Sequence, residues 1–388
     1  MFHSLDALLV AVFILVQCRI TMLLVRMSRQ RFSGAARTLA QAGVFLMNAG
    51  LTIGYAFTFT AFLSYFHIPP ETAMLLGATS LSYLLLATAI VLVHCILKGI
   101  ERRWMAEVDV GRRRMLYSTG RVLMAAPVIA LGYGSFIERH KFHVREVDIP
   151  LPSLPRDLDG LRLLQLTDIH LSAFLSEAEF ARVIDSANEL NPHIVLVTGD
   201  LISSHGDPVD ACLRQLARLK SDAGIFGCMG NHERYAGVED YTARAARRLS
   251  IEFLRSQARV FRFGESVLNV AGVDYQRIGQ RKNYLRGAED MLVSGALNVM
   301  LSHNPDVFPV AAQQGYNLLL AGHTHGGQIS IEILDRTISP ARFFTPFVYG
   351  VYHSQGATAY VSRGIGTIGI PARIGAPPEI SLLRLRKA

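Results

Sequence analysis

Cysteine is scarce in this chain. There are four in 388 residues, Cys18, Cys95, Cys212 and Cys228, and none forms a CxxC pair. That argues against a disulfide framework or a zinc knuckle and leaves free, apolar-type thiols. Charge is scarce as well: 18% of residues are charged and 50% hydrophobic, with a mean hydropathy of +0.28, high for a soluble enzyme. The formal net charge of +8 is unevenly placed. Residues 1–145 hold 15 Lys+Arg against 6 Asp+Glu, whereas the rest hold 24 against 25. A nucleic-acid-binding domain needs an excess of cations on its own surface. Here the excess lies in the apolar third, so no nucleic-acid partner is expected.

Charge is missing altogether from residues 38–65 and 72–97. Each run exceeds the roughly 20 apolar residues needed to cross a bilayer, and the HIPP turn between them suits a reversal. A third apolar stretch, residues 7–25, contains Arg19 near one end, where it can snorkel to headgroups. The fourth, residues 122–137, is short and contains Pro127. Residues 1–140 are therefore expected to be an all-α transmembrane region of about four helices. Its first connection carries Arg26, Arg29, Arg31 and Arg37, and its third carries Lys98, Arg102, Arg103, Arg112, Arg113 and Arg114. The second has no Lys or Arg, so the positive-inside bias puts connections one and three in the cytoplasm. Four spans would then leave the rest of the chain extracytoplasmic, on an inner-membrane, multi-pass protein; three would leave it in the cytoplasm. GRRRMLYSTG before the fourth stretch also resembles a twin-arginine export signal, and reads equally as a positive-inside flank.

From residue 161 the texture changes, after an expected linker over residues 141–160. LRLLQL, HIVLV, GIFG, LNVML and YNLLLA are short apolar runs, and residues 177–190 and 211–219 have helical spacing between them. Strands alternating with helices imply an α/β fold with sheets flanked by helices, whose site lies beyond the strands' carboxyl ends. Each of the five runs ends in ligand-type residues: Asp168-x-His170, Gly199-Asp200, Gly230-Asn231-His232-Glu233, Ser302-His303-Asn304 and Gly322-His323-x-His325. One such loop is ordinary; five at strand ends are not. Carboxylate, imidazole and amide donors together suit Mn, Fe or Zn rather than Ca. Seven ligands exceed the need of one ion, so two divalent ions sharing a carboxylate is the economical solution. Such a pair, about 3.5–4 Å apart, suits in-line displacement at phosphorus.

In this order, the five motifs resemble those of the calcineurin-like metallophosphoesterase superfamily, over residues 161–388. The resemblance implies that Asp168, His170 and His325 hold one metal and Asn231, His303 and His323 the other, with Asp200 between them. It also implies catalytic roles for His232, as the acid that protonates the leaving oxygen, and for Glu233, which would orient it. LPSLPRDLDGLRLLQLTDIHLS and the glycine-rich end are similar to a membrane-associated bacterial subgroup, which includes exported phosphodiesterases and UDP-2,3-diacylglucosamine pyrophosphatases. The expected partners are a phosphoester substrate, possibly lipid-linked, and membrane lipids. Two rival readings stay open: a cytoplasm-facing pyrophosphatase of the UDP-diacylglucosamine type, and a metal-binding membrane sensor or scaffold without turnover. Two surface features stand apart. DYQRIGQRKNYLRG reads as a solvated basic loop or as a contact for anionic headgroups or a substrate phosphate, and ARFFTPFVYGVY is either a satellite core or an aromatic rim. Arg363 and Arg373, in the tail, are candidates to meet phosphate.

Overall fold

The computed structural model describes residues 4–59, 70–104, 110–333 and 336–388. The chain divides into two compact units, Met1–Gly134 with Gly369–Pro371 and Ser135–Ile368 with Ala372–Ala388.

The first unit is helical: Ser4–Arg31, Gly34–Phe59, Pro70–Trp104 and the greater part of Val110–Phe136. Polar side chains inside these apolar sequences find one another. Thr21 Oγ1 donates to Asn48 Oδ1 at 2.9 Å, and Gln17 donates to the same oxygen, joining the first two helices. Gly54 lies where a Cβ would fall 2.8 Å from the Leu76 carbonyl, so only hydrogen lets the second and third helices approach. Outward faces are apolar, with Leu39 and Phe45 each 72% exposed. Among the described residues one helix, over Met74–Ile100, is long and apolar enough to cross a membrane by length and composition. That is fewer than the four spans expected. The first helix contains Arg19 and Arg26, and the last contains three consecutive arginines and Pro127. Part of the 38–65 run, and most of the HIPP turn, lie outside the described residues.

The second unit is built on two six-stranded sheets. In chain order the strands are β1 His143–Leu151, β2 Arg162–Leu166, β3 Ile194–Val197, β4 Ile225–Gly227, β5 Ile251–Phe253, β6 Gln257–Phe263 and β7 Ser266–Gly272. They continue with β8 Leu297–Leu301, β9 Leu318–Ala321, a hairpin of β10 Ile331–Ile333 and β11 Arg336–Ile338, then β12 Gly350–Ser354, β13 Ala357–Val361 and β14 Glu379–Lys387. The first sheet runs β1-β14-β2-β3-β4-β5 and the second β12-β13-β9-β8-β7-β6. β2 to β5 are mutually parallel, and so are β7, β8, β9 and β13.

Strand alternation explains the layers. Leu163, Ile194 and Leu196 pack with Leu268, Val299, Leu318 and Leu320 in one core between the sheets. Their sequence neighbours Leu164, Leu166, Val195 and Val197 point the other way, onto Phe180, Val183 and Ile184 of the helix Glu177–Glu189 and Leu213 of the helix Val209–Leu216. The second sheet has its own outer layer, which includes Phe308 and Ala311 of the helix Phe308–Gln314. Both faces of each central strand are buried, so these strands read as unbroken apolar runs. One polar side chain, Gln165, joins the layers by donating to the Ala321 carbonyl at 2.9 Å. Residues 143–151, expected in a linker, instead form the edge strand β1, paired in parallel with β14. Its Val147, Ile149 and Leu151 alternate into the inter-sheet core, a pattern masked by the intervening charges and Pro150.

Candidate metal centre

The parallel strands of both sheets deliver their carboxyl ends to one place. Asp168 and His170 follow β2, Asp200 follows β3, Asn231 and His232 follow β4, His303 follows β8, and His323 and His325 follow β9. The loops are tied by main-chain bonds: Asp168 N–H donates to the Gly199 carbonyl at 3.0 Å, and His170 N–H to the Asp200 carbonyl at 3.1 Å. Across the sandwich, His323 N–H donates to the Asp168 carboxylate at 3.0 Å. Close approach demands glycine twice. A Cβ on Gly230 would lie 2.1 Å from Asp200 Oδ1, and one on Gly322 would lie 2.2 Å from Asp168 Oδ2. Asp168, His170, Asp200, His323 and His325 all have φ between 50° and 74°. Left-handed backbone in five candidate ligands is a concentration of local strain, which persists only where the surroundings enforce it.

Three groups of side chains offer donors that converge: Asp168, His170 and His325; His170, Asp200 and His232; Asp200, His303 and His323. His170 Nε2 and His325 Nε2 are 3.2 Å apart, with Asp168 Oδ1 3.3 Å from the latter. His323 Nδ1 and His303 Nε2 are also 3.2 Å apart. Asp200 Oδ2 lies between the two sets, 3.0 Å from His303 Nε2 and 3.6 Å from His170 Nε2. Asn231 Oδ1 is buried near this cluster's loops with no hydrogen-bond partner, an acceptor still lacking a positive group.

The electrostatics agree with a cation site. Burial, then the neighbouring His232, pushes His170 down to about 3; burial, then His303, does the same to His323. His325 is held well below its ordinary range by burial and by His170. These rings are neutral, with lone pairs to share. Asp168 is raised to about 6 by burial. For Asp200 burial acts upward but is outweighed by His303 and His232, which hold it well below the usual carboxylate range. His303 moves the other way, to about 10, because Asp200 and Asp168 overcome its burial. Three neutral imidazoles, two carboxylates, an orphaned amide oxygen and a His303 ring that would release its proton on binding make a donor set that fits divalent ions. In that set Asp168, His170 and His325 would hold one, Asn231, His303 and His323 the other, with Asp200 shared.

The partners that orient these rings are mostly backbone. His303 Nδ1 is 2.7 Å from the Thr198 carbonyl, which leaves Nε2 for the site. His170 Nδ1 is 3.2 Å from Ser203 Oγ. His232 Nδ1 donates to the Ser203 carbonyl, and its Nε2 lies 4.0 Å from Asp200 Oδ2. The His232 side chain is 17% exposed, against none for His170 and His303. Glu233 does not play the orienting part expected of it. Its fully buried carboxylate accepts from the N–H groups of Asp200 at 3.0 Å, Leu201 at 2.7 Å and Gly230 at 2.8 Å. As the N3 residue of the helix Asn231–Ala236 it reaches back to the N–H of the N-cap Gly230, whose missing side chain returns no bond, and it also clamps the Asp200 loop. Gly-x-x-Glu at a helix start was the available signal. Ser203, by contrast, acts partly through a carbonyl, which leaves no mark in a sequence.

Arg373 is no phosphate ligand. It is fully buried and donates to the carbonyls of Gly366, Ala376 and Arg363 at 3.0 Å or less, with Nη2 3.5 Å from His325 Nδ1. Arg363 stacks over the Tyr349 ring, 3.9 Å from its centroid. His193 accepts from Arg162 N–H at 2.9 Å, away from the cluster.

Two sheets delivering aspartate, asparagine and histidine to one paired cluster define a metallophosphoesterase-type centre. Residues 161–327 match the model of the calcineurin-like phosphoesterase family, which places this domain in that superfamily. It is 32% identical over 281 residues to a "Transmembrane protein with metallophosphoesterase domain" of Danio rerio, covering 69% of this chain and 62% of that protein. It is 28% identical over 290 residues to an "Uncharacterized metallophosphoesterase YkuE" of Bacillus subtilis, covering 71% of this chain and 97% of that one. A similar protein of Campylobacter jejuni is 29% identical over 256 residues, 63% of each chain. The chain thus spans less than two thirds of several relatives it matches.

Proposed function

We propose that the chain is a dimetal phosphoester hydrolase, a phosphodiesterase or pyrophosphatase, acting on lipid-linked or cell-envelope phosphoesters. The observation that carries this reading is the position of Asp200 Oδ2 between two sets of imidazole donors. Bound there, two ions such as Mn, Fe or Zn would supply Lewis acidity toward phosphorus and lower the pKa of an attacking water. The chain's own residues do the rest. Asp168, His170, His325, Asn231, His303, His323 and Asp200 would hold the pair from the strand ends. His232, locked by the Ser203 carbonyl, presents Nε2 at the partly open side and gives a proton to the leaving oxygen. Glu233 keeps the Asp200 loop and the His232 helix in register.

A membrane setting is supported by the apolar Met74–Ile100 helix, by the exposed apolar faces of the helical unit, and by the transmembrane protein named among the relatives. The four helices, of 28, 26, 35 and 27 residues, each exceed the ~20 that a bilayer requires. With the arginine-rich connections inside, the reading is a multi-pass inner-membrane protein with an extracytoplasmic catalytic domain. The test is a panel of aryl phosphodiesters, phosphomonoesters and lipid pyrophosphates, offered to the purified full chain loaded with Mn. Hydrolysis of a diester or pyrophosphate is expected. A chain that binds two metals and turns over none of the panel would favour the sensor reading.

A further inference from the structure

The basic loop after β7 and the aromatic turn before β12 are distant in sequence, yet they meet in one cleft. Ile278, Arg281, Lys282 and Asp306 line it together with Phe344, around a volume of about 660 Å³. It adjoins the metal centre. Asp306 is three residues past His303, and the Tyr275 ring at the root of the basic loop is 5.6 Å from that of His323.

Its rim has an unusual composition. Phe344, 56% exposed, and Ile278, 46% exposed, line the cleft, and Phe343, next to Phe344 in the chain, is 89% exposed. Large apolar tips so exposed lose water-excluded area unless something covers them. Beside them Arg281 and Lys282 are exposed, while arginines elsewhere on this unit, such as Arg255 and Arg259, are held by carboxylates. Asp306, the acidic residue of the lining, is buried and accepts from Thr345 Oγ1, so it does not neutralise them. Cations flanking exposed aromatic and aliphatic tips match an anionic bilayer surface. The rings enter the headgroup–acyl boundary, and the cations meet phosphate.

We infer that this basic–aromatic rim is an interfacial docking surface for a bilayer rich in anionic lipid, seating the metal centre at headgroup level. The inference goes beyond the hydrolase reading and does not need turnover to be tested. Because the chain has its own apolar helix, co-sedimentation with membranes would not discriminate. A local reporter does: the full chain with Trp104→Phe and Phe343→Trp has a single indole, at the rim. It is reconstituted in nanodiscs of equal parts phosphatidylcholine and phosphatidylglycerol with brominated acyl chains. Most of the emission should be lost there, but not in brominated phosphatidylcholine alone. Arg281→Glu with Lys282→Glu should restore it, with metal content showing that the domain is intact. Unquenched emission in the anionic discs overturns the proposal. So does equal quenching in phosphatidylcholine, quenching that survives charge reversal, or relief by inorganic phosphate, which would mark a small-anion site instead.

Discussion

On the dimetal reading, Asp200 is the side chain on which the paired site would depend, because its one carboxylate lies between both donor sets. Asp200→Asn keeps the shape but removes the charge that His303 and His170 share. Metal per chain, by elemental analysis, should fall below two, and activity should fall by about 10²-fold or more, the scale of losing one preorganised electrostatic group. Two retained metals would show that Asp200 is not shared. His232 separates from this behaviour. His232→Ala should keep both metals and slow turnover by roughly 10²–10⁴-fold, the span of general acid catalysis. The loss should be smaller for an aryl diester with a good leaving group, which needs no proton. Equal losses on good and poor leaving groups would mean that His232 does not protonate the leaving oxygen.

At the level of elements, the centre depends on loops pinned by buried polar groups. Glu233→Ala strands the N–H groups of Asp200, Leu201 and Gly230, at about 1–3 kcal/mol for each buried donor left unpaired. The melting temperature and metal content should therefore drop together. The leaving-group dependence of the residual activity should stay that of the parent, since the Ser203 carbonyl still holds His232. A changed dependence would return Glu233 to an orienting role. Arg373 does the same work for the tail. Its guanidinium gathers the carbonyls of Arg363, Gly366 and Ala376 beside His325, and Gly366 N–H in turn donates to the Asp168 carbonyl at 2.7 Å. Lysine has one nitrogen and no fork. Arg373→Lys should thus destabilise the domain by a few kcal/mol, on the order of two unmet buried acceptors. It should also weaken metal at the Asp168, His170, His325 set before the other, read by titration. Unchanged stability would refute this.

For the whole molecule, sidedness decides the substrates within reach. The first and third connections hold ten Lys+Arg, counted as four and six, and the second holds none. Residues 139–145 add Arg139, Lys141 and Arg145 on the far side of the last helix. By the positive-inside bias, six against three would put the third connection in the cytoplasm. Protease added to intact spheroplasts should digest the phosphoesterase unit and spare the helices. Protection until lysis would put the metal centre in the cytoplasm and favour the nucleotide-lipid pyrophosphatase.

Much of the second unit could be read locally. Strands buried on both faces must be continuous apolar runs, so β2, β3, β4, β8 and β9 stood out, and polar residues at their ends had to face the carboxyl edge. β1 did not, because an edge strand with one buried face alternates among charges and needs β14, more than two hundred residues away, to define it. The helical unit was legible in outline, since uncharged runs of that length have few alternatives to a helix. Residue types and spacing alone set the ligand chemistry. Only the tertiary structure decided which donors share a point, that Glu233 clamps loops while Ser203 orients His232, and that the basic loop faces Phe344. Those are contacts between segments far apart in the chain, set by how two sheets pack, and no local pattern encodes a distance.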